Sequence, residues 1–201
     1  MNYGYIQSQL DGTEQAFISN ESLPIPSKYS YINYLPPVIN QGNQPICVPC
    51  SISAYINQQL NLSTGSEEDN NIDLMEIFNY KHYEDGMSIK DALQFLKECG
   101  VQTDKGLFKI SDYATVGSET ILKQALLING ICIGALPVYD SSIDKFWRGY
   151  ELEGGHAIAI VGYDENGFII RNSWGKHYGE DGYNVINYKD FPKFFEIWTI
   201  I

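Results

Sequence analysis

Asn40-Gln41-Gly42-Asn43-Gln44-Pro45-Ile46-Cys47-Val48-Pro49-Cys50-Ser51 is a loop that turns into a helix. What precedes Cys47 is rich in Asn, Gln, Gly and Pro, and beyond it Ile52, Ala54, Tyr55, Ile56 and Leu60 stand at helical spacing. Pro49 suits a first turn, where the amide it lacks has no intrahelical partner. Cys47 is therefore placed at a helix start, where unpaired amides and summed peptide dipoles favour the thiolate, the nucleophilic form of cysteine. Gln41 lies six positions ahead in an Asn-Gln-Gly turn, and its amide can donate to an oxyanion developing beside Cys47. A cysteine taken alone reads equally well as a small buried hydrophobe. What decides is the company it keeps.

With 201 residues, 44% of them hydrophobic and 13% aromatic, the chain can bury a full core as one domain, in two lobes if need be. A net charge of −12 argues against a nucleic-acid or anionic-membrane partner. No stretch approaches the roughly 18 apolar residues that would mark a membrane span. The start, Met1 to Asn20, is polar and lacks the basic-then-apolar layout of a secretion signal. Four cysteines, Cys47, Cys50, Cys99 and Cys132, are too few and too irregularly spaced for a disulfide scaffold, so a reducing, cytoplasmic compartment is expected. Neither a metal site nor a cofactor-binding loop is expected from the spacing of His, Cys and Gly residues.

Residues 1–26 read as an N-terminal extension ending in Leu23-Pro24-Ile25-Pro26, and 27–201 as the folded domain. Tyr29 to Ile39 is aromatic and Pro-punctuated, a strand-and-loop segment wrapping a body. Helical spacing recurs over 72–83, then from a Ser88 cap through Ile89, Ala92, Leu93 and Leu96 to Cys99-Gly100, which puts Cys99 in the core. Ser118 caps a further helix with Ile121, Leu122, Ala125, Leu126 and Ile128. Strands are expected at 131–139, with Cys132 as packing, and at 156–163, 168–172, 182–188 and 194–201. Helices thus dominate about 27–117 and antiparallel strands about 118–201, an α+β layout with a cleft between two lobes.

Gly154-Gly155-His156-Ala157 opens one of these strands, and Asp164-Glu165-Asn166-Gly167 is a hairpin turn leading to a partner that ends in Arg171-Asn172-Ser173-Trp174-Gly175. Pairing about that turn joins positions that sum to 331, and His156 with Asn172 sums to 328, so the two stand near each other at the open end. An Asn beside an imidazole can fix its tautomer and leave the second ring nitrogen for a thiol. Trp174 is placed to shield that bond from water.

Gln41-Gly42, Cys47, the Gly-His-Ala strand at His156, and Asn172-Ser173-Trp174-Gly175 followed by Tyr178-Gly179 and Asp181-Gly182-Tyr183 together resemble the papain-like cysteine peptidases from about Leu23 to the end. The resemblance implies a helical lobe bearing Gln41 and Cys47, a β lobe bearing His156 and Asn172, and a polypeptide substrate in the cleft. It implies a Cys47 thiolate and His156 imidazolium pair, with Gln41 at the oxyanion and Asn172 orienting the ring. It assigns Gly86 to the substrate backbone, with Met87, Ala135, Gly155 and Ala157 as pocket walls for an apolar residue two positions before the cut. Departures are Val48 after the nucleophile, Tyr178 for an expected Trp, Gln44 where secreted relatives carry a disulfide cysteine, and an extension shorter than the usual inhibitory prodomain. Alternative readings are a silent papain-like binding module, an acyl-transferase or deamidase using the same acyl-enzyme, and a Cys47-Val48-Pro49-Cys50 redox motif, in its milder form a Cys50 switch on Cys47.

Overall fold

The computed structural model describes residues 3–18 and 22–201. Met1, Asn2 and Ser19 to Glu21, part of the N-terminal extension and its polar start, lie outside the described residues. The elements run β1 (Gly4–Ile6), β2 (Tyr29–Ser30), a 3-10 turn, α1 (Cys47–Leu62), α2 (Leu74–Tyr80), β3 (Gly86–Ser88), α3 (Ile89–Glu98), β4 (Val101–Thr103), β5 (Gly106–Phe108) and β6 (Tyr113–Thr115). They continue with α4 (Glu119–Asn129), β7 (Cys132–Val138), β8 (Gly154–Tyr163), β9 (Gly167–Arg171), β10 (Tyr183–Asn187), a second 3-10 turn and β11 (Glu196–Ile200).

Helix α1 is buried on every side from Cys47 to Gln58, because it runs through the molecule between the other helices and the sheet. Ile52 and Ile56 lose all contact with water, each worth about 2 kcal/mol. Total burial also encloses Asn57, Gln58 and Asn61, whose polar atoms then need protein partners. Asn70 supplies three of the bonds. Its backbone N–H and its Nδ2 donate to Asn57 Oδ1 at 2.9 and 2.8 Å, and Nδ2 also donates to Asn61 Oδ1 at 3.0 Å. Gln58 Oε1 accepts from the Ile131 N–H at 3.3 Å and ties the helix to the start of β7.

Among the described residues, seven strands form the main antiparallel sheet, in the order β10-β9-β8-β7-β11-β6, with β2 added against β8. One face packs on α1 and α3 through Ala135, Ala157, Val161 and Trp198, and the other on α4 through Leu136, Ile158, Ile160 and Phe168. Strands β2 and β6, from the helical half of the chain, thus join the sheet of the strand half. Between β8 and β9 the register sums to 331 next to the turn and to 330 beyond a bulge between Ile160 and Gly162. That single extra residue brings Asn172 closer to His156 than the turn alone would.

Ser88 and Ser118 cap α3 and α4 as expected, accepting from Asp91 N–H and Ile121 N–H. Three expectations need correction. Helix α2 occupies only Leu74–Tyr80, capped by Asp73, because the Tyr83–Gly86 bridge takes the chain out of helical geometry. Cys99 is exposed, not core: Gly100, at φ +81°, redirects the backbone and Val101 takes the buried place. Ile128 likewise faces solvent while Leu122, Ala125 and Leu126 are buried.

Asn70→Ala is expected to lower the unfolding free energy by about 1–3 kcal/mol, since it leaves buried amide oxygens short of donors. The midpoint of a urea denaturation series reads this directly, and a change below about 0.5 kcal/mol would mean that the network is not supporting α1.

Candidate functional site

Cys47 is the first residue of α1 and is completely buried. Its Sγ accepts from the Ala157 N–H of β8 at 3.4 Å, so the helix start is pressed against the strand that bears His156. The His156 Nε2 lies 2.8 Å from Asn172 Oδ1, which also accepts from the Ser173 N–H at 2.7 Å. An oxygen engaged as an acceptor calls for the proton on Nε2, which leaves Nδ1 bare, and Nδ1 is buried without a partner. Trp174 stacks on the imidazole at 4.5 Å and 26°, and Phe146 meets it edge-on at 5.7 Å. Gln41, Cys47, His156, Asn172 and Trp174, chosen from the sequence, are thus brought into one centre.

The two loops that carry these residues are bonded to each other. Gln41 N–H donates to the Ser173 carbonyl at 2.8 Å, Gly175 N–H to the Ile39 carbonyl at 3.0 Å, and the Ser173 hydroxyl to Gln41 Oε1 at 2.6 Å. With Oε1 held, the Gln41 Nε2 points its donors at Gln44 O, 2.9 Å away, and Tyr3 O, 3.2 Å away. Ser173 is therefore a positioning residue that sequence reasoning missed, although it sits in the motif beside Asn172.

Tyr3 belongs to a segment that fills the cleft. Strand β1 pairs in parallel with β3, Gly4 opposite Gly86 and Tyr5 opposite Met87. The approach is so close that a Cβ on Gly86 would stand 2.2 Å from the Gly4 carbonyl oxygen, and one on Gly4 2.2 Å from the Pro45 carbonyl carbon. Both glycines hold left-handed φ values, +146° and +90°, that few other residues tolerate. A Cβ on Gly155 would fall 2.3 Å from the Tyr5 ring, so the bare Gly155 backbone makes room for that side chain. Ala135 and Ala157 are buried cross-strand neighbours beside it. An open cavity of about 930 Å³, lined by Asp144, Glu180 and Asn184 among others, lies elsewhere and includes none of these residues.

Under this cover the charges are set against an ion pair. Burial pushes the Cys47 thiol far up, with the Ala157, Val48 and Cys47 amides pulling the other way and Cys50 adding to the rise. Burial also takes His156 down to about 4, opposed by its bond to Asn172 and by the Tyr3 backbone. Both shifts favour the neutral forms over the thiolate and imidazolium pair that the resemblance implied, and burial is the largest cause of each. Cys50 is a buried free thiol pushed up to about 12 by the same effect, with the Arg171 charge pulling down. Protonated and enclosed, it is a poor partner for disulfide exchange in this arrangement.

A family model described as papain family cysteine protease matches residues 46–192. Procathepsin L of Felis catus is 26% identical over 193 residues, covering 75% of this chain and 56% of that protein. Cathepsin B-like CP2 of Giardia intestinalis is 50% identical over 50 residues, 22% of this chain and 16% of that one. The chain therefore spans little more than half the length of the first of these relatives and a small part of the second. Among solved structures, xylellain, a cysteine protease from Xylella fastidiosa, superposes with a TM-score of 0.83 at 23% identity, over 99% of this chain and 95% of that one. ProCathepsin B S9 from Trypanosoma congolense gives 0.82 at 14% identity, over 100% and 87%. At these identities the likeness is one of fold.

Because the buried ring releases its proton at a lower pH than it would in the unfolded chain, the unfolded state binds more protons between about pH 6.5 and 4. The stability that neutral His156 contributes is complete above pH 6.5 and is lost as pH falls through that window, by up to about 3 kcal/mol. Urea denaturation at pH 7 and pH 4.5 is expected to resolve this loss, and His156→Gln to reduce it.

Proposed function

The chain belongs to the papain family of cysteine proteases, and we propose that it hydrolyses peptide bonds with Cys47 as nucleophile and His156 as general base and acid. The observation that carries this reading is a buried imidazole whose Nε2 is committed to Asn172 and whose Nδ1 is bare, on a strand whose next amide donates to Cys47 Sγ. When the cleft opens to water, the desolvation that raises the thiol and lowers the ring is relieved, and the helix-start amides are left to favour thiolate. The proton passes from Sγ to Nδ1, and the thiolate attacks the scissile carbonyl. Gln41 Nε2, aimed by Ser173, donates to the oxyanion, a position from which it already donates to Tyr3 O. His156 then protonates the leaving amine, and water, activated by the same ring, releases the acyl group.

A substrate whose pocket residue lies two positions before the cut runs along Gly86 in the direction opposite to residues 3–6. In that segment the pocket residue, Tyr5, follows the carbonyl at Gln41 by two positions. The segment therefore occupies the cleft backwards, and the carbonyl that it sets beside Gln41 Nε2 is that of Tyr3. Its departure precedes catalysis.

A peptidyl epoxide is expected to add once to the wild type and not to Cys47→Ala, and hydrolysis of a fluorogenic peptide mixture to be lost in both Cys47→Ala and His156→Ala; intact mass and fluorescence are the readouts. Labelling retained in Cys47→Ala would reject this nucleophile. Gly4→Ala inserts a methyl into the Pro45 backbone contact, a clash worth about 1–3 kcal/mol, and is expected to speed labelling of Cys47 about tenfold by unseating the segment.

A further inference from the structure

The main sheet ends in two edge strands, and the chain treats them differently. At β6 the N-terminal region is itself laid on as a further strand: Ala16 pairs in parallel with Thr115, Phe17 N–H donates to the Thr115 carbonyl and Thr115 N–H to the Gln15 carbonyl, both at 2.9 Å. At β10, among the described residues, nothing is added beyond a tight return of the chain. Asn172 N–H donates to the Gly182 carbonyl at 3.0 Å, and from there bonded and unbonded pairs alternate along β9, so Tyr183, Val185 and Asn187 turn their backbone groups away from that strand. Tyr183 is taken by Glu180 through two bonds of 2.9 Å. The N–H and carbonyl of Val185 face outward without a partner among the described residues.

The cavity of about 930 Å³ wraps this edge on both faces of β10, with Val185, Ile169 and Ile32 lining one side and Asn184 and Trp147 the other. Its charge is largely of one sign. Asp144, Asp164, Glu180 and Asp181 line it against Lys145, and none of the four acids forms an ion pair among the described residues. One aromatic layer separates the cavity from the Cys47 and His156 centre: Trp147 follows Phe146, which meets the His156 ring, and Gly179 follows Tyr178, whose ring lies 4.8 Å from Trp174. Tyr5 marks the side before the cut and Tyr3, 5.7 Å from Trp174, the side after it, so the cavity lies toward the leaving group. An open sheet edge accepts an extended peptide or the same edge of a second copy. A second copy would bring the same carboxylates, and a further net charge of −12, onto one line. An extended segment with lysine or arginine at alternate positions would instead bond Val185 and set its cations against those acids.

We propose that the open edge of β10 and the acidic cavity around it form an exosite, which binds a lysine- or arginine-rich extended segment of the polypeptide substrate by strand addition, beyond the residues held in the cleft and after the cut. The inference rests on the peptidase reading and adds to it a second place of contact. A substrate held at the edge meets Cys47 at a raised effective concentration. Because that contact is the same in ground and transition states, it lowers KM and leaves kcat unchanged.

The test uses the full chain and internally quenched peptides that share one cleavable core and carry, after the cut and a Gly-Ser linker, a tail of Lys-Val-Lys-Val-Lys or Glu-Val-Glu-Val-Glu. At about 20 mM salt kcat/KM is expected to be at least about tenfold higher for the lysine tail, through KM, and at about 0.5 M salt the two are expected to agree within about threefold. Val185→Pro keeps every charge and the bonds of β10 to β9 but removes the outward N–H, and is expected to bring the low-salt ratio to within about threefold of unity. Glu180→Gln combined with Asp181→Asn is expected to lower it too, asparagine tolerating the φ of +53° at that position. The core peptide without a tail is expected to be cut equally by all of these, with folding checked by thermal melting. A lysine tail N-methylated at every residue blocks the pairing from the peptide side on the unaltered protein, so the outcome does not depend on Val185→Pro folding. A wild-type ratio near one, or a high ratio that survives N-methylation, would overturn the exosite while the core peptide is still cut. If the core peptide is not cut and a peptidyl epoxide does not label Cys47, even in Gly4→Ala, the peptidase reading itself fails and this inference with it.

Discussion

Two loops that are far apart in the chain are joined by main-chain hydrogen bonds, Gln41 to Ser173 and Gly175 to Ile39, and the site depends on that junction. One loop ends in Cys47 at the start of α1, the other begins at the end of β9 with Asn172. Held together, they bring the two chemical halves into register. The Ser173 hydroxyl then holds the Gln41 amide, so one short contact serves both the packing of the lobes and the direction of the Gln41 donors. The cost is paid by α1, which runs through the interior with three buried amide side chains, Asn57, Gln58 and Asn61, of which the Gln58 Nε2 is left without a hydrogen-bond partner.

The N-terminal residues convert this centre into a closed one by backbone complementarity. Gly4 and Gly86 permit an approach that no side chain would survive, and Tyr5 uses the space left by Gly155. Dehydration of the cleft then disfavours both charged forms of the Cys47 and His156 pair at once. Lys90 reinforces the cover from outside, bonded to Glu14 and Asp11 of the same N-terminal region.

Local rules carried far in this chain. The helix start at Cys47, the serine caps of α3 and α4 and the hairpin turn after β8 are short-range features, dictated by residues a few positions apart. The hairpin arithmetic placed Asn172 near His156 without any knowledge of the bulge, because turn geometry fixes register over the first few pairs. Cys99 was misplaced because helical periodicity describes a stripe and not where a left-handed glycine will turn the backbone away from it.

Contacts between residues distant in the chain could not be read in this way. That Tyr3 to Ile6 lie beside Gly86 and that Ser173 holds Gln41 both depend on how the strands and α1 are layered. None leaves a periodic or compositional trace. The sequence by itself determined the elements and the reactive side chains at their ends, because capping, turn chemistry and periodicity are local. Only the tertiary structure decided which of those ends meet and what covers them, because burial and pairing across the fold belong to no single stretch of chain.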